Sequence, residues 1–186
     1  MTTEATSRTK TPLAGKYVLD PAHSNLQISA RHLMVSKVTG TFGEIQGTIE
    51  VGENPEESLV EVIAQSASIT TGTKDRDVHL RSADFLDVEQ YPTVNFKSTA
   101  VASDGENWKL TGDLTIREIT NPVTFDLEYE GSVVDPYGNQ KAVFTADGQI
   151  DRESWGLTWN VPLEGGGVLV SKQFKITFAI QAVLQA

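Results

Sequence analysis

The sequence predicts a single all-β domain built from about eight antiparallel strands. Three observations lead to this fold class. Apolar and polar residues alternate along most of the chain from Lys16 onward, which is typical of strands that bury one face. Segments rich in Asn, Asp, Gly and Pro separate the alternating runs and supply the residues that chain reversals need. The length of 186 residues fits one domain, because a domain takes roughly 150 residues on average.

The chain begins with a Thr-rich stretch, residues 1–14, which we predict to be a flexible tail because it has too little apolar side chain to offset the entropy of ordering. Residues 15–186 form the predicted domain. Within 38–51, Gly43 and Gly47 predict a bulge or a sharp bend. The predicted strands, in order, lie at 24–33, 38–51, 58–70, 93–101, 107–116, 123–130, 141–151 and 174–182.

Two segments interrupt the alternation. Residues 74–92 lack it, and we predict one short helical segment around 74–86 followed by an irregular turn. Residues 154–167 carry several glycines and are predicted to form a long loop.

A strand set with one apolar face can bury that face between two packed sheets or inside a sheet closed into a barrel. Closure also removes exposed sheet edges. An eight-stranded barrel can be filled by its own side chains or can hold one small ligand. Small residues inside the apolar rows either leave room for a ligand or fit the taper of a packed barrel; they are Ala30, Gly112, Ala142, Ala146 and Gly148.

The composition excludes several classes of function. With no cysteine, the chain has no disulfides, thiolate metal sites or cysteine nucleophiles. A formal net charge of −10 opposes nucleic-acid phosphates and anionic lipid surfaces, although it is compatible with a local basic patch. The apolar runs are too short for a membrane-spanning helix or a signal-peptide core. We therefore expect a cytoplasmic protein with no nucleic-acid partner and no integral membrane segment.

His32 is the most informative polar residue, because it is in phase with Leu26, Ile28 and Ala30 and therefore faces the apolar interior. A buried, unpaired polar group costs roughly 1–3 kcal/mol, so this imidazole needs a partner or a ligand. If the charged segment 74–92 lies across one mouth of a barrel, it places cations and His79 at the rim of an apolar pocket, which suits an amphiphile. The alternatives are a hydrogen-bonded core histidine and a solvated helix face.

Enzymatic interpretations have little support. The three histidines, His23, His32 and His79, have no metal-ligand spacing, and no serine lies in a nucleophile-elbow motif. The glycine run 165–167 leads into a strand and lacks the lysine of a phosphate-binding loop. We therefore predict no catalytic residues, no metal site and no cofactor.

Several linked motifs resemble those of the YceI-like polyisoprenoid-binding proteins of bacteria. The resemblance runs from about Tyr17 to Val183 and is carried, in order, by LDPAHSNLQISARHLMVSKVTGTFGEIQGTIE, ASITTGTKDRDVHLRSADFLDVEQYPTVNF, GDLTIREITNPVTF, IDRESWGLTWN and GGVLVSKQFKI. It implies an eight-stranded lipocalin-like barrel around a long apolar cavity that holds an isoprenoid or another single-tailed amphiphile. It also implies a possible homodimer, because many relatives pair.

From this resemblance we predict a carrier or sequestering protein for a long-chain isoprenoid lipid, acting by burial and without chemistry. The predicted head-group residues are His32, Arg76 and His79. The predicted tail cavity is lined by Leu26, Ile28, Ala30, Phe42, Phe96, Leu114, Ile116, Phe125, Phe144, Ala146 and Phe178. The alternatives are a fatty acid or fatty amide carrier, a barrel enzyme that uses His32 or His79 as a general base on a lipid, and a packed barrel without a ligand.

Overall fold

The computed structural model describes residues 11–186, which form antiparallel strands, a short helix and three single turns of 3-10 helix. The strands are β1 Gly15–Leu19, β2 Asn25–His32, β3 Ser36–Phe42, β4 Ile45–Val51, β5 Leu59–Gln65, β6 Ile69–Thr70, β7 Thr93–Asp104, β8 Asn107–Ile116, β9 Ile119–Val134, β10 Gln140–Asp151 and β11 Gln173–Leu184. The helix α1 is Lys74–Arg81, and the 3-10 turns are Pro55–Glu57, Ser66–Ser68 and Arg152–Trp155.

Eight of these strands close into an antiparallel barrel, which confirms the predicted fold class. The order around the barrel is β1, β4, β5, β7, β8, β9, β10 and β11, and β11 pairs again with β1. Strands β2, β3 and β6 continue from β11 as a branch at one end of the barrel.

The branch exists because three long strands are each broken once. Strand β11 pairs with β1 along residues 182–184 and with β2 along residues 175–179, so β1 and β2 are two parts of one strand path. Strands β3 and β4 likewise divide the predicted strand 38–51 at Gly43, where a bend was predicted. Strands β5 and β6 divide the predicted strand 58–70 at the turn Ser66–Ser68.

Three phenylalanines fill the middle of the barrel and form what we call the phenylalanine barrier: Phe96, Phe125 and Phe178. The ring centroids of Phe125 lie 5.3 Å from Phe96 and 5.4 Å from Phe178, both edge-to-face, which is a favourable aromatic geometry. A Cβ atom at Gly112 would lie 2.5 Å from the Phe96 ring, and one at Gly148 would lie 2.6 Å from the Phe125 ring. These two glycines therefore make room for the rings of the barrier. Of the two alternatives for small residues in the apolar rows, Gly112 and Gly148 fit a packed barrel and leave no room for a ligand.

Helix α1 confirms the predicted helical segment but ends at Arg81 rather than near residue 86. Ser82 is extended, and its backbone N–H donates to the carbonyl of His79, so the helix stops there. The following turn buries Phe85 and returns Leu86 to Leu80 through a backbone hydrogen bond of 3.0 Å. Residues 82–86 thus form no further helical hydrogen bonds, and they bury the side chain of Phe85 instead.

Candidate functional site

A cavity of about 400 Å³, which we call the wide chamber, lies at the end of the barrel where β2, β3 and β6 branch. Its walls are apolar side chains of the branch, the barrel and two covering segments. The covering segments are α1 with the turn after it, and residues 156–171, which we call the strap. Apolar lining residues are Ile28, Ala30, Val38, Phe42, Ile69, Leu80, Phe85, Leu86, Val94, Ile116, Ile150, Leu157, Trp159, Leu169, Val170 and Phe174.

Helix α1 is held over the chamber by two side chains that reach strand β6. The carboxylate of Asp77 accepts hydrogen bonds from the hydroxyls of Thr70 and Thr71 and from the backbone N–H of Thr71, at 2.6–3.0 Å. The hydrogen bonds from Thr71 are the main reason that the pKa of Asp77 lies below its ordinary value. Arg81 donates to the carbonyls of Ala67 and Ile69. Asp77 and Arg81, both from the charged segment 74–92, therefore anchor the helix.

The strap is held by Arg152, whose side chain is fully buried. Its guanidinium donates from Nε to the carbonyl of Ser171 at 2.9 Å, from Nη1 to the carbonyl of Leu157 and from Nη2 to the carbonyl of Val170. Burial lowers the pKa of Arg152 from its ordinary value. Three carbonyls thus compensate a buried cation and fix both ends of the strap beside the chamber.

The three predicted head-group residues, His32, Arg76 and His79, all line the wide chamber. Arg76 donates from Nε to the hydroxyl of Thr71 at 2.7 Å, which orients its guanidinium. The imidazole of His79 meets the carboxylate of Asp84 through Nε2 at 2.9 Å and packs edge-to-face on Trp159, with ring centroids 4.4 Å apart. Their role in holding a head group stays a prediction.

His32 differs from the other two, because its side chain makes no hydrogen bond within the part of the chain that the structure describes. Its backbone forms an isolated bridge with Val170 of the strap, which places the imidazole at the chamber wall. An imidazole in this position is available to a bound polar group.

The predicted tail residues divide among three spaces along the barrel axis. Ile28, Ala30, Phe42 and Ile116 line the wide chamber. A void of about 20 Å³ follows, whose walls include Leu26 and Leu114. Beyond it lies the narrow chamber of about 80 Å³, lined by Phe144 and Ala146 among others. Phe96 and Phe178 contact both small spaces, whereas Phe125 is fully buried in the barrier and lines none of the three.

The last residues of the predicted tail, 11–14, lie at this narrow end. Residues 1–10 lie outside the described residues, while Thr11 and Pro12 line the narrow chamber. The hydroxyl of Tyr17 donates to the carbonyl of Leu13 at 2.9 Å, so the segment that enters β1 has a defined contact with the barrel.

Sequence reasoning missed several lining residues, among them Arg31, Asp75 and Trp159. Arg31 belongs to the outward row of β2, but at the strand end it also borders the chamber mouth. Trp159 lies in the strap, where no periodic pattern exists to assign a face. A large aromatic residue in a glycine-rich loop was the available signal.

Two features are absent from the described residues 11–186. No helix there is both long and apolar enough to cross a lipid bilayer. In the same range, no three His, Cys, Asp or Glu side chains are grouped so that they could hold a metal ion.

Comparison with known proteins decides the family. A family model described as the YceI-like domain matches residues 17–182. The chain belongs to this family. The YceI-like chain is 37% identical over 162 residues to a UPF0312 protein of Staphylococcus aureus (strain N315), covering 86% of this chain and 92% of that protein. The same identity and coverage hold for the UPF0312 protein of Staphylococcus aureus strain USA300.

Solved structures share the YceI-like fold. Burkholderia cenocepacia BcnA superposes with a TM-score of 0.75 at 19% identity, covering 88% of this chain and 98% of that chain. A Campylobacter jejuni YCEI protein gives 0.69 at 25% identity, covering 84% and 90%. A polyisoprenoid binding domain from Saccharophagus degradans gives 0.70 at 13% identity, covering 91% and 98%.

Proposed function

We propose that this protein binds a single-tailed amphiphile, with a long-chain isoprenoid lipid as the first candidate, and carries or sequesters it without chemistry. The observation that carries the proposal is the wide chamber, an apolar cavity of about 400 Å³ with Arg31, His32, Arg76 and His79 in its wall. Ligand sites are typically cavities of about 300–1,000 Å³ with a few polar groups in an apolar lining.

The energetics favour an apolar tail. Each methylene moved from water into an apolar cavity contributes about 0.8 kcal/mol, so a prenyl or acyl chain binds without many polar contacts. Two arginines and two histidines in the same wall favour a polar or anionic head group over a purely hydrocarbon ligand. The shared fold with a polyisoprenoid binding domain supports an isoprenoid over other tails.

The phenylalanine barrier sets where the tail ends. The wide chamber is bounded on its inner side by the void whose walls include Phe96 and Phe178, so a tail that enters from the branch end stops there unless these rings move. Fatty acids and fatty amides fit the same chamber and remain the competing ligands.

The test is native mass spectrometry of the purified protein, then extraction and titration with geranylgeranyl diphosphate, palmitate and the headless hydrocarbon squalene. We expect one bound chain per protein and preference for a headed ligand. Ala30→Phe, which places a ring inside the wide chamber, should weaken binding strongly, whereas Ala102→Phe on the exposed face of β7 should not. A protein that takes up none of the three chains would contradict the proposal.

A second readout separates the carrier from the enzyme alternative. The His79–Asp84 pair resembles a base held by a carboxylate, so turnover of the bound lipid is measured in the same samples. For a carrier, recovered ligand is chemically unchanged, and His79→Ala weakens binding of the headed ligand more than that of squalene. Recovery of a converted lipid that disappears in His79→Ala would favour the enzyme.

A further inference from the structure

The hairpin between β2 and β3 ends in three apolar residues that point into solvent. Leu33 is 47% exposed, Met34 58% and Val35 80%. They are consecutive, so together they form one apolar projection, which we call the hairpin tip. A projecting run of large apolar side chains is unfavourable in water unless another surface covers it.

The backbone of the hairpin tip is in a conformation that these residues rarely adopt. Leu33 and Met34 have φ angles of +54° and +65°, and the N–H of Val35 donates to the carbonyl of His32 at 3.3 Å. The β2–β3 ladder closes with His32 opposite Ser36, so the connection has three residues, and two of them have the positive φ that Gly and Asn adopt most readily. Leu and Met occupy the turn against local preference, an outlier that points to a role for their side chains.

The hairpin tip borders the mouth of the wide chamber. The N–H of Leu33 donates to the carbonyl of Leu169 at 2.9 Å, and both His32 and Leu169 line the chamber. Gly167 of the strap lies against Met34, since a Cβ atom at Gly167 would be 3.3 Å from its Cγ. Whatever the hairpin tip contacts therefore lies next to the chamber.

Two cationic residues lie in the strands next to the hairpin tip, one in β2 and one in β3. Arg31 and Lys37 are opposite each other across the β2–β3 ladder, and such like-charge pairs are destabilising. Within residues 11–186, neither forms a salt bridge. In a chain with a net charge of −10, this local basic pair suits an anionic surface.

We propose that the hairpin tip inserts into a membrane surface that contains anionic phospholipids and seats the chamber mouth on it. Leu33, Met34 and Val35 enter the boundary between head groups and acyl chains, while Arg31 and Lys37 face the phosphates. The purpose of this contact, transfer of an apolar tail between bilayer and chamber, rests on the proposed lipid-binding function. The contact itself is measured separately.

The turn at the other end of the barrel provides a matched control. There Tyr137 is 89% exposed in the β9–β10 hairpin, but the left-handed position of that turn is occupied by Gly138, with φ of +86°. This exposed aromatic residue is far from the wide chamber. Residue 141, next to the turn, pairs with residue 183 at one end of β11, whereas Phe174 at the other end of β11 lines the chamber.

The experiment is flotation of the full chain with vesicles of phosphatidylcholine mixed with phosphatidylglycerol, and with vesicles of phosphatidylcholine alone. The double variant Leu33→Asn, Met34→Gly places residues that tolerate positive φ at both positions, so it should melt at the same or a higher temperature than the parent. We expect its binding to mixed vesicles to fall by about tenfold or more. Lys37→Gln should lower binding to mixed vesicles by about fivefold, and Tyr137→Asn should leave it unchanged.

The outcomes separate this proposal from the lipid-binding function. Unchanged flotation of the double variant, or no flotation of the parent, overturns membrane contact even where a solubilised lipid still fills the chamber. Flotation that depends on the hairpin tip, in a protein that takes up no lipid, supports the contact and overturns the carrier function. A change in oligomeric state without a change in flotation identifies a second copy of the chain as the partner and overturns the proposal.

Discussion

The two ends of this barrel share four strands, β7, β8, β10 and β11, but differ about fivefold in the space that they enclose, with about 400 Å³ at the branched end and about 80 Å³ at the other. At the narrow end the strands run without interruption and their apolar side chains meet. At the wide end three strand paths are broken and the wall includes a helix and the strap. The larger space in this barrel therefore lies where the strands are broken.

The glycines of the apolar rows make the same point. Gly112 and Gly148 lie beside the rings of Phe96 and Phe125, so each missing side chain is replaced by an aromatic ring from a neighbouring strand. The barrier that results separates the two ends. If this comparison holds, substitutions in the barrier should cost far more stability than equivalent substitutions around the wide chamber.

The largest expected effect is therefore at the barrier. Phe125→Ala should lower the free energy of unfolding by about 3–5 kcal/mol, because it removes a fully buried ring and leaves a cavity. Leu80→Ala, at the half-buried wall of the wide chamber, should cost only about 2 kcal/mol, since one side of Leu80 already faces space. Urea denaturation measures both. Equal losses would show that the two ends are packed alike.

Arg152→Met should have the next largest effect, about 3 kcal/mol, because it leaves the carbonyls of Leu157 and Ser171 without their donor, whereas that of Val170 keeps the side-chain amide of Asn160. Hydrogen exchange should increase in residues 156–171 and bound lipid should be lost. Lys172→Met, at an exposed neighbouring site, is the control. Loss of stability without faster exchange in the strap would contradict the anchoring role of Arg152.

Protonation of Asp77 at low pH should weaken the docking of α1 on Thr70 and Thr71. The pKa of Asp77 is lower in the folded chain than the unfolded value of about 3.9, so its carboxylate stabilises the docked helix above that pH. This stabilisation is lost as the pH falls through the folded-state pKa. Asp77→Asn should remove about 1–3 kcal/mol of docking free energy at neutral pH. Exchange of the α1 amides against pH measures the effect, and a profile identical in Asp77→Asn would disprove it.

The smallest effect is expected at the narrow end, where Asp20 meets Lys141 at 2.9 Å. Hydrogen bonds from Lys141 and His23 lower the pKa of Asp20 to about 2. This carboxylate therefore stabilises the fold above about pH 4 and loses its contribution only as the pH falls through about 2. Lys141→Met should raise the pKa of Asp20, as measured by NMR titration, and leave lipid content unchanged. An unaltered pKa would show that Lys141 is not its cause.

Much of the fold follows from the sequence because strand alternation is a local pattern. The rows through Leu26 and Phe178 predicted the buried faces, and Gly43 predicted the bend between β3 and β4. Strand β1 and the break at Ser66–Ser68 were not predicted, because both depend on pairing with distant parts of the chain. Whether Gly112 leaves empty space depends on a ring from the neighbouring strand, Phe96, and the pattern of one strand does not show this contact.

The candidate site was only partly predictable for the same reason. His32 was singled out by its phase in an apolar row, the resemblance to YceI-like proteins added Arg76 and His79, and all three line one chamber. Asp77 belongs to the same charged run but is buried against Thr70 and Thr71, a distinction that depends on the docking of α1. Arg152 was missed, because its partners are backbone carbonyls that carry no sequence signal.

Strand β6 has a further consequence for aggregation. It is a two-residue strand at the end of the sheet order, where unpaired backbone groups can recruit a strand from another molecule. Here side chains of α1 form hydrogen bonds with backbone groups in and beside β6. Arg81 donates to the carbonyls of Ala67 and Ile69, and Asp77 accepts from the N–H of Thr71. The helix that covers the wide chamber therefore also protects the sheet edge. If α1 moves away to open the chamber, the edge of β6 becomes exposed and can pair with a strand of another molecule.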